Sequence, residues 1–387
     1  MNKPIYLDYN ATTPVDPEVF QAMEPFFVEQ FGNASSSSHS YGWEASSAVK
    51  KARRQVADLL NCDPKEIVWT SGATESNNMA ITGLVRQFAH QSPHIITENS
   101  EHKAVLEVFE MAEELGIAEA TFLGVDEEGL VSRDQVAKHL KPNTKLVSIM
   151  MANNEIGTLQ PIAEIASLLD GHESLFHTDA AQAAGKVEID LQTLPVDMLS
   201  ISGHKMYGPK GIGALYIRKS NPATRLLPII RGGAQENGLR PGTLNVPGIV
   251  GLGAACELCS KKMKEENARL IKLRDQLIRS VLEACPEATL NGHPTQRLPN
   301  NASFSFQGLS SDVFALGLSG LALSSGSACT SSDGKPSHVI SALGRPDAEA
   351  RATIRVGLGR LTTTEDIETT TRKIVQMVEK NRAISNH

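Results

Sequence analysis

Leu175-Phe176-His177-Thr178-Asp179-Ala180-Ala181-Gln182 and Asp197-Met198-Leu199-Ser200-Ile201-Ser202-Gly203-His204-Lys205 are two apolar, strand-like runs that both end in chemically capable residues. The first closes on the carboxylate of Asp179, and the second leads through a Ser-Gly-His turn into Lys205. Runs of the same kind occupy residues 66–70, 94–97, 145–150 and 213–217. Amphipathic helical patterns lie between several of them, over 74–88, 104–115 and 161–169, the last with proline suited to its first turn. Ser132-Arg133-Asp134-Gln135 reads as a capping box ahead of Val136 and Leu140. This alternation predicts an α/β fold whose mostly parallel sheet is covered on both faces. Such sheets bind ligands beyond the carboxyl ends of their strands, where Thr70, Asp179 and Ser202 all fall.

The last third of the chain has a different pattern. A long helical stretch over 250–284 follows Pro247-Gly248, then come strand-like pieces at 302–306, 321–325 and 352–356 and a final amphipathic helix over 364–381. Fewer strands and longer helices predict a smaller α+β domain, which the N-terminal segment through Asp8-Tyr9-Asn10-Ala11-Thr12-Thr13 joins. The chain of 387 residues exceeds one ordinary core. The expected division is a large domain over 14–258 and a small domain made of 1–13 and 259–387. The serine run at 35–38, led by Gly32-Asn33, suits a loop near a site.

Composition narrows the class. A net charge of −7 disfavours nucleic acid and anionic membrane as partners. There is no apolar run of about 18 residues to span a bilayer. Met1-Asn2-Lys3-Pro4-Ile5-Tyr6-Leu7-Asp8 lacks the apolar centre of a signal peptide, so a cytoplasmic location is expected. Five sparse cysteines argue against a disulfide framework. Cys256 and Cys259 form a CxxC inside a helical stretch without a second ligand pair, which reads as helix packing, and no metal site is expected.

A lysine beyond one buried strand and a carboxylate at the end of its neighbour suit pyridoxal phosphate. The lysine would form the Schiff base and the aspartate would keep the pyridine nitrogen protonated. To attack an aldehyde Lys205 must be neutral, so its pKa must fall from about 10.4, as burial and positive neighbours bring about. Thr70-Ser71-Gly72-Ala73-Thr74-Glu75-Ser76-Asn77 joins a strand to a helix start, where the N–H groups and hydroxyls around Ala73 and Thr74 make an anion cradle. Ser202 and His204 would add phosphate contacts. Gln182 can donate to the cofactor's phenolic oxygen, and Asn154, in Asn153-Asn154-Glu155-Ile156-Gly157, can reach the same atom. His102 follows the strand at 94–97 and is suited to stack on the ring and to handle protons near neutral pH.

On these residues the chain resembles the cysteine desulfurases of iron–sulfur cluster assembly, in the class V aminotransferase group. The resemblance runs nearly end to end. It is carried by Leu7-Asp8-Tyr9-Asn10-Ala11-Thr12-Thr13, by the Thr70 to Ser76 turn, and by Glu101-His102-Lys103-Ala104-Val105. It continues through Asn153 to Gly157, Ser202-Gly203-His204-Lys205-Met206-Tyr207-Gly208-Pro209-Lys210-Gly211, Arg240-Pro241-Gly242-Thr243-Leu244-Asn245 and Ser324-Ser325-Gly326-Ser327-Ala328-Cys329-Thr330. It implies the type I fold of pyridoxal phosphate-dependent transferases. It also implies removal of sulfur from L-cysteine, giving L-alanine and a persulfide on Cys329. The small-residue stretch around Cys329 independently suits an accessible, reactive thiol. By the same resemblance Arg355 binds the substrate carboxylate, which its planar fork matches in two bonds, and Asn33 and Asn154 help to hold the amino acid. Thr243 would reach the phosphate from the other subunit of a homodimer with shared sites. The persulfide sulfur would pass to an acceptor protein such as a cluster scaffold, with a transient iron–sulfur cluster contact at Cys329, or towards tRNA thiolation. A selenocysteine lyase or another class V lyase is the nearest alternative, and a non-catalytic scaffold is a further one. The sequence ends at Asn386-His387 without the longer tail of some relatives, and Asp333-Gly334-Lys335-Pro336-Ser337 departs from their pattern, which leaves the acceptor open.

Overall fold

The computed structural model describes residues 3–309, 318–325 and 336–385. Its strands are β1 (Ile5–Tyr6), β2 (Ile67–Thr70), β3 (His94–Glu98), β4 (Glu119–Leu123), β5 (Thr144–Ser148), β6 (Leu175–Asp179) and β7 (Met198–Ser202). There follow β8 (Gly213–Ile217), β9 (Ala288–Leu290), β10 (Asn301–Phe306), β11 (Leu321–Ala322), β12 (Ser324–Ser325) and β13 (Thr353–Gly357). Seven of them form one sheet in the order β2-β8-β7-β6-β5-β3-β4. All run parallel except β8, which is antiparallel to both neighbours. The α/β class and the mostly parallel sheet expected from the sequence are what the chain forms.

Strands β3, β5, β6, β7 and β8 are buried at every residue, which is why they read as unbroken apolar runs. Alternate side chains enter opposite layers. Ile95, Leu146, Leu175 and Met198 pack with Met79, Leu84, Val105 and Phe109 of the helices Ala73–Phe88 and Lys103–Glu114. Ile96, Val147, Phe176 and Leu199 pack on the other face with Val56, Ile165 and Leu252. Strand β4 is absent from the sequence reading: it is an edge strand with an exposed Glu119 and partly buried middle residues, so it lacks the apolar signature.

The helix Ser40–Leu60 also goes unforeseen in the sequence. Its buried face is largely small, with Gly42, Ala45, Ala52 and Ala57 beside Val49, Val56 and Leu60. It lies so close to the long helix Val246–Ala284 that a Cβ on Gly253 would sit 2.6 Å from the Ala52 Cα. Small residues permit that approach and at the same time weaken the apolar periodicity. The long helix starts four residues before the expected position, because Asn245 caps it by accepting the Gly248 N–H at 3.1 Å and Pro247 fits its first turn.

That helix serves two cores. Ile249, Leu252, Cys256 and Cys259 belong to the core beneath the large sheet. Leu270, Leu273, Leu277 and Val281 belong to a second core with Leu7, Phe304, Ile354, Ile374 and Val378. A four-stranded antiparallel sheet, β12-β13-β10-β9, forms one layer of this second core, and β1 pairs in parallel with β11. The expected strand over 321–325 is two short pieces that pair with different partners, β1 and β13. Cys256 and Cys259 are buried free thiols beside Met206, and burial pushes the Cys259 thiol up to about 11. Among the described residues no helix is long and apolar enough to cross a membrane.

Candidate active site

A cavity of about 740 Å³ opens at the carboxyl ends of the parallel strands. Strand order changes direction between β3 and β5, and open α/β sheets bind ligands in the crevice at that point. His102, Asn154, Asp179, Gln182, Ser202, His204, Lys205, Ala73, Thr74 and Arg355 all line it. They come from segments spread over most of the chain, and the ends of the parallel strands bring most of them together.

Asp179 is the last residue of β6 and is 5% exposed. Its Oδ2 accepts from the Asn77 side chain at 2.6 Å and its Oδ1 from the Ala181 N–H at 2.8 Å. Both oxygens of a buried carboxylate are thus held by donors, as its desolvation requires. Lys205 ends the short turn Gly203–Lys205 that follows β7. Its Nζ donates to the carbonyls of Asn10 and Ala11 at 2.7 and 2.8 Å, so the amine is held at the cavity edge by neutral acceptors. The Asn10 carbonyl also accepts from Gln182 Nε2 at 2.8 Å. Two residues beyond Lys205, Tyr207 has φ +63°, a left-handed conformation that is uncommon for a non-glycine residue. Its N–H donates to Thr13 Oγ1 and its hydroxyl accepts from the Arg360 N–H, both at 2.8 Å, which holds this strain in place.

The turn from Ser71 to Thr74 opens the helix Ala73–Phe88 and forms another wall. It can approach β8 because Gly213 has no side chain: a Cβ there would lie 2.6 Å from the Gly72 Cα. Glu75 braces the turn by accepting the Ser71 N–H at 2.7 Å and an Arg240 bond at 2.7 Å. Burial opposes the charge of Glu75, yet Arg240 and Ser71 together hold its pKa below the usual carboxylate range. His204 faces the same region, with its Nδ1 3.2 Å from Thr12 Oγ1. Burial, with the charges of Lys205, Lys210 and Lys186, pushes its pKa down to about 4, so it is neutral near pH 7.

His102 caps the helix Lys103–Glu114, its Nδ1 accepting the Ala104 N–H at 3.1 Å. That bond puts the ring proton on Nε2. His102 lines the cavity and keeps part of its surface exposed. The lost solvation lowers its pKa, against the pull of Asp179 and with a contribution from Lys205. A neutral ring fits stacking, and taking up a second proton at Nδ1 requires release of the cap. Behind it Glu98 and Glu101 are completely buried, and both oxygens of Glu101 have no hydrogen-bond partner among the described residues. Burial raises both carboxyl pKa values, and for Glu101 the nearby Glu98 and Asp179 add to the rise.

Arg355 lies on β13 in the second sheet and is 7% exposed. Its Nη1 donates to the Asn154 carbonyl at 3.0 Å, and its Nη2 to Asp8 Oδ1 and Ser324 Oγ, both at 2.8 Å. The Asn154 Oδ1 atom is buried without a partner among the described residues. Asn33 and Thr243 do not line the cavity of this chain. Asn33 is exposed, and its Oδ1 accepts the Ser35 N–H at 2.9 Å. Thr243 is exposed on the loop that Arg240 ties to Glu75. Cys329 lies outside the described residues.

The sequence reading misses Asn10, Asn77 and Asp8 as site residues. Asn10 and Asp8 stand in a quoted motif, but their partners lie 172 to 347 residues away. Asn77 falls one helical turn beyond Ala73 and Thr74 on a buried face, the signal that could have identified it.

A family model described as aminotransferase class-V matches residues 5–369. The chain is 49% identical over 387 residues to a protein of Dechloromonas aromatica named cysteine desulfurase IscS, covering 100% of this chain and 95% of that one. A solved structure named NifS-like protein superposes with a TM-score of 0.89 at 36% identity, covering 97% of this chain and 100% of that chain. Another, titled SspA in complex with cysteine, gives a TM-score of 0.80 at 39% identity over 92% of this chain and 98% of that chain.

Proposed function

The chain belongs to the class-V aminotransferase family, and from that premise we propose that it is a pyridoxal phosphate-dependent cysteine desulfurase. One observation carries the reading: the Lys205 amine, the buried Asp179 carboxylate and the Arg355 guanidinium converge on one cavity. The cavity suits the cofactor. A held carboxylate lies at the end of β6, a helix start with adjacent hydroxyls offers a phosphate site, and the Asn154 Oδ1 is a buried polar atom without a partner among the described residues. When bound, pyridoxal phosphate supplies an aldehyde for amines and an electron sink for charge at the substrate α-carbon.

The chain's own residues then divide the work. Asp179 holds the ring nitrogen with its proton, His102 covers the ring face, and Gln182 and Asn154 address the phenolic oxygen. Ala73, Thr74, Ser202 and His204 hold the phosphate, with Thr243 supplied by the second subunit of a homodimer. Lys205 carries the cofactor and takes the α-proton, its amine turned towards the site from the Asn10 and Ala11 carbonyls. Arg355 holds the substrate carboxylate with help from Asn33 and Asn154. The Cys329 thiolate takes the sulfur: the carbon–sulfur bond of L-cysteine breaks, a sulfur–sulfur bond forms on Cys329, and the carbon gains a proton to leave as L-alanine. The persulfide supplies sulfur to an acceptor such as a cluster scaffold, with transient cluster contact at Cys329, and a cytoplasmic location fits this role. The second core and the shift of the long helix between cores favour a domain division of 14–258 against 1–13 with 259–387.

The test is a single turnover with L-cysteine and no reductant. The protein is expected to release alanine and retain a persulfide, and Cys329→Ala is expected to lose both. Persulfide-forming turnover by Cys329→Ala would overturn the assignment.

A further inference from the structure

We propose that Asp8 competes with the substrate carboxylate for the Arg355 guanidinium, and so sets how tightly the site holds α-amino carboxylates. The proposal rests on the reading of Arg355 as the carboxylate-binding residue. Nε–H and the adjacent Nη2–H of an arginine form an edge that takes a carboxylate in two bonds. On Arg355 the Nε is buried without a partner among the described residues, while Nη2 donates to Asp8 Oδ1 and Ser324 Oγ at 2.8 Å each. Among the described residues one donor of that edge, Nε, therefore has no acceptor, and the other, Nη2, is shared between a carboxylate of the chain itself and a serine hydroxyl.

Asp8 cannot withdraw with its backbone. The Leu7 N–H donates to the Ala322 carbonyl at 2.7 Å, the Gly357 N–H to the Leu7 carbonyl at 2.7 Å, and the Tyr9 N–H to the Gly357 carbonyl at 3.3 Å. Residue 8 is thus clamped between β11 and β13. An incoming carboxylate shares one guanidinium with it and meets a like charge nearby. Arg355 does not depend on Asp8 for its place, because the Asn154 carbonyl and Ser324 Oγ hold it too. Removal of the Asp8 charge therefore strengthens carboxylate binding and leaves the arginine in position.

Asp8→Asn keeps the side-chain shape and one acceptor oxygen, removes the charge and replaces the second oxygen by an NH2 donor. Calorimetric titration of the cofactor-loaded enzyme with L-alanine is expected to show about tenfold tighter binding in Asp8→Asn, a factor moderated by partial solvent exposure. Asp8→Glu is expected to match the wild type. Asp8→Ser serves as a second charge-free variant should Asp8→Asn fold poorly. Equal or weaker binding in the charge-free variants, with binding lost in Arg355→Gln, overturns the role of Asp8 alone. Unchanged binding in Arg355→Gln overturns both this inference and the carboxylate reading beneath it.

Discussion

Asn77 donates to Asp179 at 2.6 Å from a fully buried position, and the only other donor to that carboxylate among the hydrogen bonds described is the Ala181 N–H. A hydrogen bond to a charged group contributes about 1.5–3 kcal/mol, and its loss leaves a buried oxygen unsatisfied. Asn77→Ala is therefore expected to weaken cofactor retention by about tenfold or more, read from the rate at which pyridoxal phosphate leaves the protein on dilution. Retention equal to the wild type would show that Asp179 does not need this partner. At the same scale lie the residues that are hardest to read from sequence. Tyr207 gives no sign of its left-handed backbone, because the cause is contacts to Thr13 and Arg360 at positions remote in the chain. Asp179 and Lys205 are legible because one closes its strand and the other ends the short turn that follows the next strand.

Among the elements, β6 combines a site residue with a buried titrating one. His177 lies between Ser148 Oγ at 2.8 Å and Ser200 Oγ at 3.1 Å, and burial pushes its pKa down to about 4. The unfolded chain, with an ordinary histidine near 6.5, binds the proton first as pH falls. The contribution of His177 to stability is therefore present above about pH 6.5 and is lost as pH falls towards 4, by roughly 3 kcal/mol. Glu98 and Glu101 act with the opposite sign, because a carboxyl pKa raised by burial makes stability fall as pH rises above the unfolded value. The effect of His177 is isolated by comparing wild type with His177→Gln at each pH. The gap between their urea-unfolding free energies is expected to shrink from pH 7 to pH 4.5, and a constant gap would count against it. The contact between the helices Ser40–Leu60 and Val246–Ala284 makes a separate demand. Gly253→Leu forces a side chain into the Ala52 backbone and is expected to cost about 1–3 kcal/mol, seen as a lower thermal midpoint. An unchanged midpoint would mean that the helices separate freely.

One long helix and a cluster of charges around Arg360 join the core beneath the large sheet to the second core. That guanidinium pairs with Asp16 at 2.7 Å and Glu266 at 2.6 Å and lies 4.0 Å from the centre of the Tyr207 ring. The N-terminal segment, the long helix and the turn after Lys205 thus meet at one side chain. The large sheet is legible because five of its strands are buried on both faces and read as continuous apolar runs. Edge strand β4 and the alanine-faced helix Ser40–Leu60 are not, since neither displays the apolar period that betrays an element. The site is legible where its parts are local motifs at strand ends. Its closing contacts, Asn10 to Gln182 and Asp8 to Arg355, arise only when the N-terminal segment crosses between the cores. On the proposed reading, one lysine and one cavity serve the removal of sulfur from L-cysteine. Its most direct test is to quantify alanine and sulfide together, with L-cysteine and a thiol reductant, for wild type and Lys205→Ala. Equal amounts of the two products from the wild type and neither from Lys205→Ala is the expected result. Alanine without matching sulfide, or turnover that survives in Lys205→Ala, would contradict it.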